Sequence, residues 1–159
     1  MKTKKLPVIL ISLICLVFSL TLLFVQQAQA ALGESADSIA SDKNVLLAKR
    51  SSTRTSSKYT VHEIQSEANT VREYVSPSGV VFGIAWNGLT HPDLTPLLGN
   101  YASEHQKALS HVKRQPGHRY VKVESENIVV EKWGHMRNLQ GRAYVPALIQ
   151  EGVSIDEIK

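Results

Sequence analysis

The sequence holds one cysteine, Cys15, and it stands inside an apolar N-terminal run rather than in the body of the chain. Beyond that run there is no thiol to form a disulfide, attack a substrate or ligate a metal, so the fold must rest on a packed core. Methionine is almost as scarce: Met136 is the only one after Met1, too few for a Met/His copper site. A G-x-S-x-G elbow, a convincing Ser-x-x-Lys element and a Gly-rich phosphate loop are all missing. The helical zinc-protease motif begins at His62-Glu63 and fails at Ser66, where its second histidine must stand. His105 and His111 are six apart, so on a helix they point to different sides and cannot share a metal. What survives is a metal or enzyme site assembled from dispersed histidines and acids, such as His62 with His135, without recognisable ligand spacing. Paired carboxylates could come from Glu63, Glu73, Glu124 or Glu131, as they could in any β protein with surface acids.

What is present starts with targeting. Lys2, Lys4 and Lys5 precede an apolar run over residues 6–25, and Ala28-Gln29-Ala30 follows. A positive start, an apolar middle and an A-x-A end form the pattern of a secretory signal peptide, residues 1–30. A run of about 20 apolar residues can also span a bilayer, so an uncleaved anchor is the alternative; the A-x-A site favours cleavage after Ala30. Ile14 before Cys15 argues against lipoprotein processing, which needs a small residue there. Cleavage removes three lysines and no acids, turning a net charge of +4 into +1. The basic balance therefore belongs mostly to the targeting segment and gives no reason to expect a nucleic-acid partner. A mature chain of 129 residues, 159 less 30, suits one domain.

Residues 31–57 read as an N-terminal segment and linker: a weak helix anchored by Ile39, Leu46 and Leu47, then the Ser/Thr-rich "KRSSTRTSSK" as solvated chain. The domain is expected over residues 58–155, with 156–159 as a tail. Residues 59–65 and 70–76 are rich in β-branched and aromatic residues and predict strands. Ser76-Pro77-Ser78-Gly79 fits a type I turn, and "GVVFGIAWNG" reads as a strand covered on both faces. That turn pairs Val75 with Val80, Glu73 with Phe82 and Val71 with Ile84. Glu73 then lies in the middle of an apolar face.

Leu94, Leu97, Leu98, Tyr101, His105, Ala108, Leu109 and Val112 recur every three or four residues, a helical stripe capped by Asp93 and weakened at Gly99. His105 on that stripe reads as a hydrogen-bonded core histidine. Three more strands are expected at 120–124, 128–133 and 142–149. The fold class is α+β, a single domain of about six antiparallel strands in the order βββ-α-βββ with one helix packed on the sheet.

The stretch "KWGHMRNLQGRAYVP" predicts a hairpin turning at Asn138-Leu139-Gln140-Gly141. Closed there, it pairs Arg137 with Arg142, His135 with Tyr144 and Trp133 with Pro146, and sends Met136 to the core. Two opposed arginines repel, so a negative charge should face them. It is either an internal counter-ion, for which buried Glu73 is the candidate, or an anionic ligand or partner held on a face formed by Trp133, His135, Arg137, Arg142 and Tyr144.

"ALGE", "YTVHE", "TVREYVSPSGVVFGIAWNG", "PDLTPLLGNY" and "GHMRNLQGRAYVP", in that order, resemble the small exported bacterial proteins grouped as domain of unknown function 2844. The resemblance spans residues 31–155. It implies export, to the periplasm where the cell has two membranes or to the outside, and supplies no activity, cofactor or catalytic residue. The expectation is a non-catalytic binding or accessory protein of the cell envelope, whose partner is an envelope protein or an anionic small molecule or glycan. Membrane attachment is expected only if the N-terminal segment stays uncleaved.

Overall fold

The computed structural model describes residues 32–36, 39, 43–44, 46–113, 117 and 119–159; the expected signal segment lies outside them. Seven antiparallel strands form one sheet: β1 (Arg50–Thr55), β2 (Thr60–Gln65), β3 (Asn69–Val75), β4 (Val81–Gly88), β5 (Tyr120–Glu124), β6 (Val129–His135) and β7 (Asn138–Tyr144). Their spatial order is β1-β2-β3-β4-β7-β6-β5. Between β4 and β5 runs one helix in two segments, α1 (Leu94–Leu98) and α2 (Ala102–His111), joined by a 3-10 turn at Gly99–Tyr101. Asp93 caps it, its Oδ1 accepting from the Thr95 amide at 2.9 Å. The break falls at Gly99, whose φ of 47° is strained for any side chain.

The extra strand, β1, lies in the segment read as a solvated linker. All six of its residues are exposed, yet every one pairs with β2. An edge strand is held by main-chain hydrogen bonds and needs no apolar side chain; polar and basic residues there also discourage further pairing. The segment before it joins the core too. Leu32 and Ile39 are buried, and the Leu32 and Gly33 amides donate to the carbonyls of Leu97 and Val81. Leu47, expected as an anchor, is 81% exposed and adopts a positive φ.

The Ser76–Gly79 turn forms as expected, with the Gly79 amide donating to the Ser76 carbonyl at 2.9 Å. The pairing beyond it does not. A bulge at Tyr74/Val75 pairs Val75 with Val81, Glu73 with Ile84 and Val71 with Trp86. One extra residue rotates Phe82 away from Val71 and Val75 to the other face of the sheet. Glu73 keeps its predicted place and is 1% exposed.

On the helix side, Val71, Ile84, Trp86, Val130 and Ala143 bury against Leu94, Leu97 and Leu98. The opposite face carries Tyr74, Phe82, Ala85, Val129 and Tyr144. It is covered by a strap formed by residues 146–159. The strand expected over 142–149 ends at Tyr144, because Pro146 opens a 3-10 turn (Pro146–Leu148) instead of continuing the ladder. Residues 156–159, expected as a C-terminal tail, end the strap: Ile158 is fully buried and occupies the space a Cβ on Gly83 would need.

Candidate functional site

The β6–β7 hairpin turns three residues earlier than its sequence suggests. His135 pairs with Asn138, Trp133 with Gln140, Glu131 with Arg142 and Val129 with Tyr144. Gly141 is therefore no turn residue. It sits inside β7 because a Cβ there would overlap the Trp86 ring and approach the Glu131 carbonyl oxygen to 2.6 Å. The turn falls on Met136 and Arg137, and Met136 is 90% exposed rather than in the core.

This register separates the predicted site into two groups. Trp133, Arg142 and Tyr144 do share one face, with the Arg142 guanidinium 5.8 Å from the Trp133 ring centre and 6.0 Å from that of Tyr144. His135 and Arg137 stand at the exposed hairpin end, so the opposed Arg137–Arg142 pair does not form. Nor is Glu73 the counter-ion of Arg142. It lies on the helix side, across the sheet from Arg142.

Glu131 fills that role, forming an ion pair with Arg142 and accepting from the Tyr120 hydroxyl at 2.8 Å. Burial pushes the Glu131 carboxyl up, but the Arg142 and Tyr120 hydrogen bonds and the Arg142 charge outweigh it and hold the group below the usual carboxylate range. Arg142 also donates from Nη1 to the Ile155 carbonyl at 2.8 Å, tying the strap to the sheet. The pair belongs to a row running straight across six strands: Glu63, Arg72, Ala85, Arg142, Glu131, Lys122. Within it Arg72 Nε donates to Glu63 at 2.9 Å.

Beside the strap this face opens into a cleft of about 560 Å³. Tyr59, Tyr74 and Trp133 line it, with Arg54, Arg72 and the amides of Asn87 and Gln140. Most of these polar groups are held in place. Arg72 Nη1 donates to Asn87 Oδ1 at 3.1 Å, Trp133 Nε1 to Gln140 Oε1 at 3.2 Å, and the Tyr59 hydroxyl to Glu157 at 2.9 Å. The side chain of Arg54, on exposed β1, has no hydrogen bond or ion pair among the described residues. Sequence reasoning missed this residue by treating β1 as linker. It also missed Glu131 as the Arg142 partner, because the wrong turn placed them out of register.

The histidines are dispersed. His62 Nδ1 lies 3.1 Å from Thr53 Oγ1 on the β1–β2 edge. His91 Nδ1 accepts from Trp86 Nε1 at 2.9 Å. His105 is buried under α2, and its Nε2 has no hydrogen-bond partner among the described residues, unlike the bonded core histidine expected. Burial lowers all three, helped by the Lys132 charge at His91 and His105 and by Lys43 at His62. Among the described residues no three metal-ligating side chains come together.

The chain belongs to a family described as a protein of unknown function (DUF2844), which matches residues 28–158. No curated protein matches it. Among solved structures it is similar to a cysteine-rich secretory protein from Staphylococcus aureus, 12% identical, with a TM-score of 0.44. That match covers 74% of this chain and 45% of the other, so the chain spans less than half of that protein.

Proposed function

We propose that the protein is an exported, non-catalytic accessory protein of the bacterial envelope that binds an anionic, sugar-like small molecule in the strap-side cleft. The cleft itself carries this reading: aromatic walls at Tyr59, Tyr74 and Trp133 stand beside the Arg54 guanidinium, which has no partner among the described residues, and the oriented amides of Asn87 and Gln140. Aromatic faces stack on sugar rings, fixed amides bond hydroxyls, and an arginine without a carboxylate partner binds an acid. The basic N-terminus, apolar run and A-x-A site support export.

The test is a tryptophan-fluorescence titration with N-acetylmuramyl dipeptide, which is acidic, and with neutral chitotriose. The acidic compound should give a saturable change that Arg54→Glu weakens at least tenfold, with chitotriose binding less well. No response to either compound at millimolar concentration, or an undiminished response in Arg54→Glu, overturns the cleft as the site.

A further inference from the structure

Two stretches of this chain carry basic residues and no acid. Residues 105–123 contain Lys107, Lys113, Arg114, Arg119 and Lys122 and no Asp or Glu. Residues 132–150 contain Lys132, Arg137 and Arg142, again with no acid. The fold brings parts of both stretches together, since Tyr120 at the start of β5 pairs with Trp133 near the end of β6. Arg119, His135 and Met136 consequently line a shallow hollow of about 400 Å³ at the hairpin tip. Arg142 is consumed by Glu131, whereas Arg119 and Arg137 are exposed and have no ion pair among the described residues.

At the apex of this basic end stands Met136, 90% exposed. Its position rests on an unusual backbone. Arg137 holds a φ of 65°, where a side chain is strained, and Gly134 a φ of 119°. A Cβ on Gly134 would overlap the Asn138 carbonyl, so only glycine permits this tight tip. Strain retained at an exposed tip suggests that the shape presented there has a use.

We propose that this hairpin tip docks on an anionic lipid surface, with Arg119 and Arg137 on the headgroups and Met136 entering the acyl boundary. The combination favours a bilayer over an acidic polypeptide or a soluble polyanion. Headgroup charge over apolar chains accepts both the guanidinium groups and the thioether, whereas a soluble polyanion leaves Met136 in water.

The test uses the full chain carrying Cys15→Ser and Met136→Cys, labelled at position 136 with a polarity-sensitive fluorophore. Vesicles of phosphatidylcholine with a quarter phosphatidylglycerol should raise its emission several-fold at low salt. Molar salt, or Arg119→Glu with Arg137→Glu, should abolish the rise; circular dichroism checks that this exposed double variant keeps its fold. Pure phosphatidylcholine vesicles should give little change. An absent rise overturns the proposal, as does an equal rise on both vesicle types, which would trace the contact to the apolar N-terminal run. A rise with soluble polyglutamate but not with vesicles overturns it in favour of an acidic protein partner.

Discussion

On the helix side of the sheet, Val71, Ile84, Trp86 and Val130 bury against three leucines of α1, while the strap side carries a row with five charged side chains beside the cluster that Ile158 covers. The first face is closed by burial, at roughly 1.5–3 kcal/mol for each large side chain withdrawn from water. The second is closed by fewer apolar contacts and by directed bonds, Arg142 to the Ile155 carbonyl and the Tyr74 hydroxyl to the Lys159 carbonyl. A face closed by directed bonds need not be filled everywhere, and the cleft lies there. The core supplies stability on one side, and the other side has room for a ligand.

Deleting the bulk of the helix-side face should do the most damage. Trp86→Ala should cost about 4 kcal/mol by chemical denaturation, through the cavity left over Gly141. On the strap side, Ile158→Ala should cost less, about 2 to 3 kcal/mol, and should speed proteolysis of residues 146–159 before global unfolding. Equal protection of the strap in this variant would show that directed bonds alone hold it.

Arg142→Met leaves Glu131 buried without its cation and should cost about 2 kcal/mol, discounted because the arginine is partly exposed. Adding Glu131→Leu should recover most of that loss. Failure to recover would mean that the bond to Ile155, rather than the ion pair, is what matters.

The smallest effect is in pH dependence, and it divides the faces by window. On the helix side His91 and His105 bind protons less readily when folded, so their contribution is complete above about pH 6.5 and falls as the pH drops toward their lowered values. Glu131, also lowered, keeps its contribution until the pH falls below the usual carboxylate value of about 4.3. Melting temperatures should therefore decline first between neutral and mildly acid pH, and His105→Leu should flatten that part of the curve alone.

Features governed by local residue chemistry were legible in the sequence. The Asp93 cap, the weak point at Gly99, the Ser76–Gly79 turn and the burial of Glu73 each follow from neighbours a few positions away. The misreadings have one cause, which is that a distant residue decides. Asn138–Gly141 has the composition of a turn, but the Trp86 ring requires Gly141 within a strand. β1 looks like linker until β2 supplies its hydrogen bonds. Trp133, Arg142 and Tyr144 still share one side of the sheet because moving a turn by three residues preserves which odd and even positions lie together. His135, Arg137 and Met136 were misplaced because they form the turn itself.

The strand order has a kinetic consequence. β1–β4 form one run of neighbouring hairpins and β5–β7 a second, and only β4 with β7 joins them, bringing together residues such as Gly83 and Tyr144 about sixty positions apart. Each half gains its pairings over short loops, while closing this seam carries the large entropy cost of a long one. The two halves should therefore zip early and meet late, with Trp86 settling over Gly141 as the event that commits the chain to its native state.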